Sequence, residues 1–301
     1  MIPEEVRRLV EDRQRARRAK DFGLADELRD RIREAGFDVV DAPSGPQVNP
    51  IAPPPPSERS PAFRSGEEVP SVLDAPPTVE FSVQWIVQGW PDDVRRGIDS
   101  FRRFQGQAEV QHVVVEAPEQ GEWPDDVDVV RMASGSGWAT ARNAGFRRCA
   151  GRIVVMVDGS IEATGDVLGR VGEALADPGV GLTGPFGIVS DDLREFRDSE
   201  GPDVDAVEGY LMAFRRELLE GGLRFDEKFA FYRTADIELS FQIKAMGLRA
   251  TVTPLPVTRH EHRMWAATPE DERSRLSKRN FYRFLDRWRG RTDLLVANQP
   301  R

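Results

Sequence analysis

Gly151-Arg152-Ile153-Val154-Val155-Met156-Val157-Asp158-Gly159-Ser160 decides the fold of this chain. Ile153 to Val157 is a short, unbroken apolar run, which reads as a core strand. Asp158 follows at its carboxyl end, the edge where ligands bind in an open α/β sheet. An acid there can hold a metal and, through it, a diphosphate. Immediately upstream, Ala141-Arg142-Asn143-Ala144-Gly145-Phe146 reads as a helix that runs into a tight turn.

Working outward, strand and helix signals alternate from Phe81 onward, as a mostly parallel sheet requires. Val83–Val87, His112–Val115 and Val127–Met132 are predicted strands, and Glu116 ends the second. Pro91 suits the first turn of a helix that buries Val94, Ile98 and Phe101. Val167, Leu168, Val171 and Leu175 mark a further helix, and Gly181–Gly184 and Val207–Phe214 later strands. Leu276, Phe281, Phe284, Leu285 and Trp288 fall at helical spacing and predict a packing face. Gly135-Ser136-Gly137 does not complete a dinucleotide fingerprint, because Thr140 holds the third glycine position.

At 301 residues the chain can hold one sizeable domain plus an appendage. A net charge of -9 argues against a general binder of nucleic acid or anionic membrane. Cys149 is the only cysteine, so cysteine-based zinc patterns and an intrachain disulfide are excluded. No stretch approaches the roughly 20 apolar residues of a membrane span. The start is charged from Glu4 onward and lacks an apolar signal segment. These features together predict a soluble, cytoplasmic protein.

Residues 1–45 read as a helical hairpin. Val6, Leu9 and Val10 set one face, and Ala25, Leu28, Ile32 and Ala35 another. Asp21 is placed to cap the second helix and Gly36 to end it. Residues 46–78 read as an extended, mobile linker, because Pro50, Pro53 to Pro56, Pro61, Pro70, Pro76 and Pro77 deny it regular structure. Residues 79–301 then form the main domain. The stretch from Glu11 to Asp30, continued by Asp41-Ala42-Pro43-Ser44-Gly45, resembles the C-terminal hairpin of cysteinyl-tRNA synthetases. The resemblance implies RNA contact through Arg13, Arg15, Arg17, Arg18 and Lys20. The interleaved acids favour a docking module instead.

The main domain has several ordered motifs: Ala141-Arg142-Asn143-Ala144-Gly145, Gly151 through Asp158, Gly209-Tyr210-Leu211-Met212-Ala213-Phe214-Arg215-Arg216, Phe225-Asp226-Glu227-Lys228-Phe229-Ala230-Phe231-Tyr232, and Ala235-Asp236-Ile237-Glu238-Leu239. They resemble family-2 glycosyltransferases. The implied fold class is α/β of the GT-A type: Rossmann-like, a mostly parallel mixed sheet with helices on both faces, here joined to a small N-terminal α-hairpin. The resemblance implies inverting transfer from a nucleotide-sugar donor to a glycan, lipid or small-molecule acceptor. Glu116 would contact the nucleotide base, Arg142 the diphosphate and Asp158 a divalent ion, manganese or magnesium. Asp236 takes the position of the general base. At a helix N-terminus it should keep a low pKa, which makes a weak base. His260 is the preferred further metal ligand, with His262 the alternative. Ser160 stands where the family has a second acid, and a neutral hydroxyl binds a hard cation weakly. Asp191, Asp192, Glu195 and Asp198 crowd a loop that reads as an acceptor-facing or lid element. The alternatives are a non-catalytic sugar- or nucleotide-binding relative and an RNA-linked adaptor that acts through the hairpin.

Overall fold

The computed structural model describes residues 3–19, 21–35, 37–42, 45–50, 62–117 and 121–299. Two compact units divide the chain, residues 1–59 and 60–301. In the first, helices α1 (Glu4–Arg18) and α2 (Phe22–Glu34) form the expected hairpin. Val6, Leu9, Val10 and Ala16 meet Ala25, Leu28 and Ile32 in a small core. The Asp21 carboxylate accepts the Leu24 N–H at 3.1 Å, the expected cap. Gly36, Lys20 and the prolines from 53 to 61 lie outside the described residues.

The hairpin does not end the unit. Strands β1 (Phe37–Ala42) and β2 (Gly45–Pro50) pair antiparallel, with Val39 opposite Val48. Val39 is buried in the helical core, and Phe37 and Val48 pack against it. Pro50 argues for a linker here, and Pro46 also falls within the ribbon. In a two-stranded ribbon each strand is an edge, which tolerates a missing N–H.

The linker expectation also changes for residues 62–78, which are fixed to the second unit. Phe63 bridges Met132: its N–H donates to the Arg131 carbonyl and its own carbonyl accepts from Ala133. Arg147 and Arg216 reach the carbonyls of Val69, Val72 and Ala75. The prolines remove donors, but the strap's carbonyls and its remaining N–H groups at Phe63, Val72 and Thr78 still bind the domain.

In the second unit the core elements are β3 (Val79–Val87), α3 (Pro91–Phe104), β4 (Val110–Glu116), β5 (Val127–Arg131), α4 (Trp138–Phe146) and β6 (Gly151–Val157). Next come β7 (Ile161–Ala163), α5 (Val167–Leu175), β8 (Val180–Gly184), β9 (Gly187–Ser190), β10 (Phe196–Ser199), β11 (Asp203–Val204), β12 (Ala206–Val207) and β13 (Leu211–Arg215). The chain then runs through α6 (Glu217–Glu220), α7 (Ala235–Ala245), β14 (Arg249–Val252), β15 (Val257–Arg259), α8 (Arg263–Ala267) and α9 (Glu270–Trp288).

Eight strands form the main sheet in the order β11-β14-β8-β13-β6-β3-β4-β5. β6, β3, β4 and β5 run parallel, while β13 is antiparallel to both β6 and β8. Period-two alternation sends β6 side chains to two separate cores. Val154 and Met156 face the core that includes α4 and α7, and Val155 and Val157 the one that includes α3 and α5. This is the expected mixed sheet with helices on both faces. The α9 face packs as predicted: Phe284 and Trp288 are buried with Leu193, Phe241, Leu294 and Leu295. Cys149 is fully buried, which pushes its thiol up to about 12. No helix among the described residues is long and apolar enough to cross a membrane.

Candidate active site

The antiparallel pairing of β13 with β6 builds the site. Leu211 lies opposite Val157, and the next step of the ladder joins the Asp158 N–H to the Tyr210 carbonyl at 2.9 Å. Gly209 thereby comes beside α7. Its N–H donates to Asp236 Oδ2 at 2.9 Å, and a Cβ on Gly209 would meet the Asp236 side chain at 3.3 Å. One register thus places both sequence-predicted acids at the carboxyl edge of the sheet.

The two acids are held differently. Asp158 is buried, which alone would raise its pKa. The hydrogen bond of His262, at 3.3 Å from Oδ2, and the Ser160 hydroxyl and N–H, at 2.5 and 2.9 Å from Oδ1, outweigh burial and hold it below the usual range. Asp236 receives the N–H groups of Gly209 and Ile237. There burial wins and pushes the carboxyl up, against those two bonds and the charge of Arg233. This corrects the low pKa expected from a helix terminus. Thr234, not Asp236, holds the N-cap position, in a left-handed conformation with φ of 72°. That leaves Asp236 Oδ2 to bond off the helix.

Of the two histidines, His262 is the one beside Asp158. Its ring stacks on Tyr232 with centroids 4.6 Å apart, and Tyr210 meets it edge-on at 6.1 Å. Its Nδ1 accepts the Trp265 N–H at 3.1 Å, which fixes the first turn of α8. His260, the preferred ligand from sequence, instead meets Glu162 with Nε2 2.8 Å from Oε2, near the surface. The third histidine, His112, lies in the core against Trp85 Nε1, where burial pulls it down to about 4.

Two further expectations meet a different placement. Arg142 is fully buried and donates to the Gln84 carbonyl and Oε1 and to the Val157 carbonyl at 3.1 Å. It ties β3 to the end of β6 from inside the fold. Burial pulls it down to about 10, so it remains charged at neutral pH. Gly145 explains this depth: a Cβ there would lie 2.4 Å from Gln84 Nε2, so α4 sits hard against the sheet. Glu116 is also buried. Oε2 accepts the Trp123 indole N–H at 2.8 Å and Oε1 lies 3.3 Å from Arg131 Nε, so neighbours already occupy the carboxylate. The acidic loop folds on itself. Asp191 pairs with Arg197, Asp192 accepts the N–H groups of Arg194 and Glu195, and Leu193 is buried beneath them.

Beside Asp158 lies a cleft of about 20 Å³, lined by Gln88, Trp90, Asp93, Asp158, His262 and Arg263 among others. That is room for about one water molecule. Asp93 accepts from Arg96 at 2.9 Å and meets Arg263 at 3.4 Å, which ties α3 to the segment that closes the cleft. Asp93, Tyr210, Tyr232 and Glu208 were not singled out from the sequence. The tyrosines lie inside quoted motifs, while Asp93 and Glu208 carry no local signal. A groove of about 830 Å³ lies elsewhere, along Ser65–Glu67 and Arg224–Glu227, and holds none of these acids. Among the described residues no three His, Cys, Asp or Glu side chains converge as metal ligands.

Residues 110–239 match the family model described as Glycosyl transferase family 2, and residues 1–48 that of the Cysteinyl-tRNA ligase anticodon binding domain. The crystal structure of GalNAc-T7 with UDP, GalNAc and Mn2+ shares the fold. Its TM-score is 0.58 at 15% identity, over 71% of this chain and 49% of that one. The cysteine–tRNA ligase of Chlamydia pneumoniae is 52% identical over 50 residues, which is 17% of this chain and 10% of the relative. That of Methanosarcina acetivorans is 53% identical over 47 residues, 16% of this chain and 10% of the relative. The chain thus spans about a tenth of the length of these curated relatives and about half of GalNAc-T7. The second unit has a GT-A-like fold, and residues 110–239 within it match the family-2 glycosyltransferase model.

Proposed function

We propose that the second unit transfers a sugar from a nucleotide-sugar donor to an acceptor hydroxyl with inversion. The observation that carries this reading is the pair of oppositely tuned acids on one strand register. Asp236, a carboxylate of raised pKa, takes the acceptor proton. The freed oxygen attacks the anomeric carbon as the bond to the nucleotide diphosphate breaks on the opposite face. A single well-placed base suffices for one displacement.

Asp158 and His262 would hold a divalent ion. Their donor atoms lie 3.3 Å apart, near enough for both to serve one hard cation. The protein supplies two donors, so phosphate oxygens and water would complete the set. Such an ion, when bound, neutralises the departing diphosphate. Ligation through His262 Nε2 needs the ring proton on Nδ1, where the Trp265 N–H now donates. The narrow cleft and the α8 cap therefore open together to admit the donor. Arg142 acts as a positioning residue beneath Asp158, and Glu116 reaches a base only if Trp123 releases it.

A second reading rests on the match of residues 1–48. The first unit would bind RNA, as a docking module for an RNA partner. Arg13 is buried and Arg15 pairs with Asp12, which leaves less of the helix face for phosphates than the sequence suggests. Salt-sensitive tRNA binding that is lost on removal of residues 1–50 would support it, and absence of binding would remove it.

Calorimetry with UDP, GDP and dTDP, with and without Mn2+, on wild type and Asp158→Ala tests the main reading. Metal-dependent binding of one nucleotide, lost in the variant, names the donor class. Absence of nucleotide binding overturns the enzyme reading. Binding without turnover would leave the non-catalytic relative.

A further inference from the structure

We infer that the acceptor carries an anionic group, a phosphate monoester or phosphodiester, held by Arg233 and Arg259 beside Asp236. The inference rests on the reading of Asp236 as the acceptor-facing base.

In this acidic chain, arginines near carboxylates pair with them: Arg96 and Arg263 with Asp93, Arg249 with Asp177 and Asp203, Arg287 with Glu238. Arg233 and Arg259 do not. Both are exposed, and neither forms an ion pair among the described residues. Each rests on aromatic rings instead. The Arg259 guanidinium lies 4.7 Å from the Tyr210 centroid and 5.2 Å from that of Phe186. That of Arg233 lies 5.4 Å from the Trp265 centroid. An aromatic face orients a guanidinium while leaving its N–H fork free for a bidentate partner.

Their place in the chain puts them at the acceptor side. Arg233 is three residues before Asp236, and Arg259 covers Tyr210, whose carbonyl pairs with Asp158. The half-buried Glu208 feels the charge of both arginines, and Asp236 that of Arg233. Glu208 therefore competes with a bound anion for the same two cations. This gives the inference a sign that a neutral acceptor would not share.

The test uses the full chain saturated with its nucleotide and Mn2+, titrated with charged and neutral twins: glycerol 3-phosphate against glycerol, and glucose 6-phosphate against glucose. A short RNA oligonucleotide is the phosphodiester arm. The phosphate twin should bind at least about tenfold tighter. The double variant Arg233→Gln/Arg259→Gln should abolish the preference, with the lysine pair restoring part of it. Glu208→Gln should strengthen phosphate binding. RNA binding lost in the same double variant would name a polymer as the source, and binding of the small esters a free phosphate. Equal affinity for the twins, weaker phosphate binding by Glu208→Gln, or loss of nucleotide affinity in the double variant would overturn the inference. In the last case the arginines serve the donor. Failure to bind nucleotide at all would instead sink the reading it rests on.

Discussion

Asp158, buried, and Asp236, half-buried, lie at the same sheet edge, yet their surroundings drive them apart. Asp158 sits among donors that favour its charge, so it remains an anion at any physiological pH. Asp236 has two backbone donors, and burial still pushes its carboxyl up, which makes it the stronger base of the two. In the proposed reading, one side holds a cation and the other moves a proton. Groups with separated pKa values are how one site divides such roles.

The comparison breaks first at Asp236. Asp236→Asn should lower kcat by about a thousandfold while nucleotide affinity stays within about twofold; a parallel loss of nucleotide binding would show that the two sides are not separate. Next, His262→Ala should weaken Mn2+-dependent nucleotide binding by about ten- to a hundredfold. His260→Ala should change it by less than about twofold, because His260 faces Glu162; titrations of the two variants side by side decide between them. The pH profile sharpens the contrast further. Since the base works only when deprotonated, kcat/KM should rise about tenfold per pH unit up to the raised pKa of Asp236 and then level off. No second limb from Asp158 should appear at neutral pH, because its pKa is lowered. The smallest effect belongs to Ser160→Ala. It removes one of several groups that hold Asp158 down, so Mn2+ affinity should fall by about two- to fivefold.

Much of this arrangement was legible before any coordinates. The apolar run ending at Asp158 placed the strand and its acid, and the motif resemblance around Ala235-Asp236-Ile237 pointed to the second. Burial of polar residues was not legible. Arg142 and Glu116 read as ligand contacts because the resemblance implied it and charged residues usually face solvent. Their burial follows from Gly145, which lets α4 sink, and from Trp123, which arrives from a neighbouring loop. His260 and His262 differ by two positions, so the choice depended on the end of β15, which no local pattern marks. The strap at 62–78 was hidden because proline density reads as disorder, whereas carbonyl acceptors need no N–H of their own.

Thr234 carries a wider consequence. A β-branched residue in the left-handed region costs roughly 1–2 kcal/mol relative to glycine. The turn that presents Asp236 is therefore held at the expense of the stability reserve of the whole unit. Thr234→Gly should melt higher and work more slowly, since the relaxed turn no longer keeps Oδ2 on the Gly209 N–H. A lineage selected only for heat resistance would be drawn to that change, and one selected for turnover would resist it.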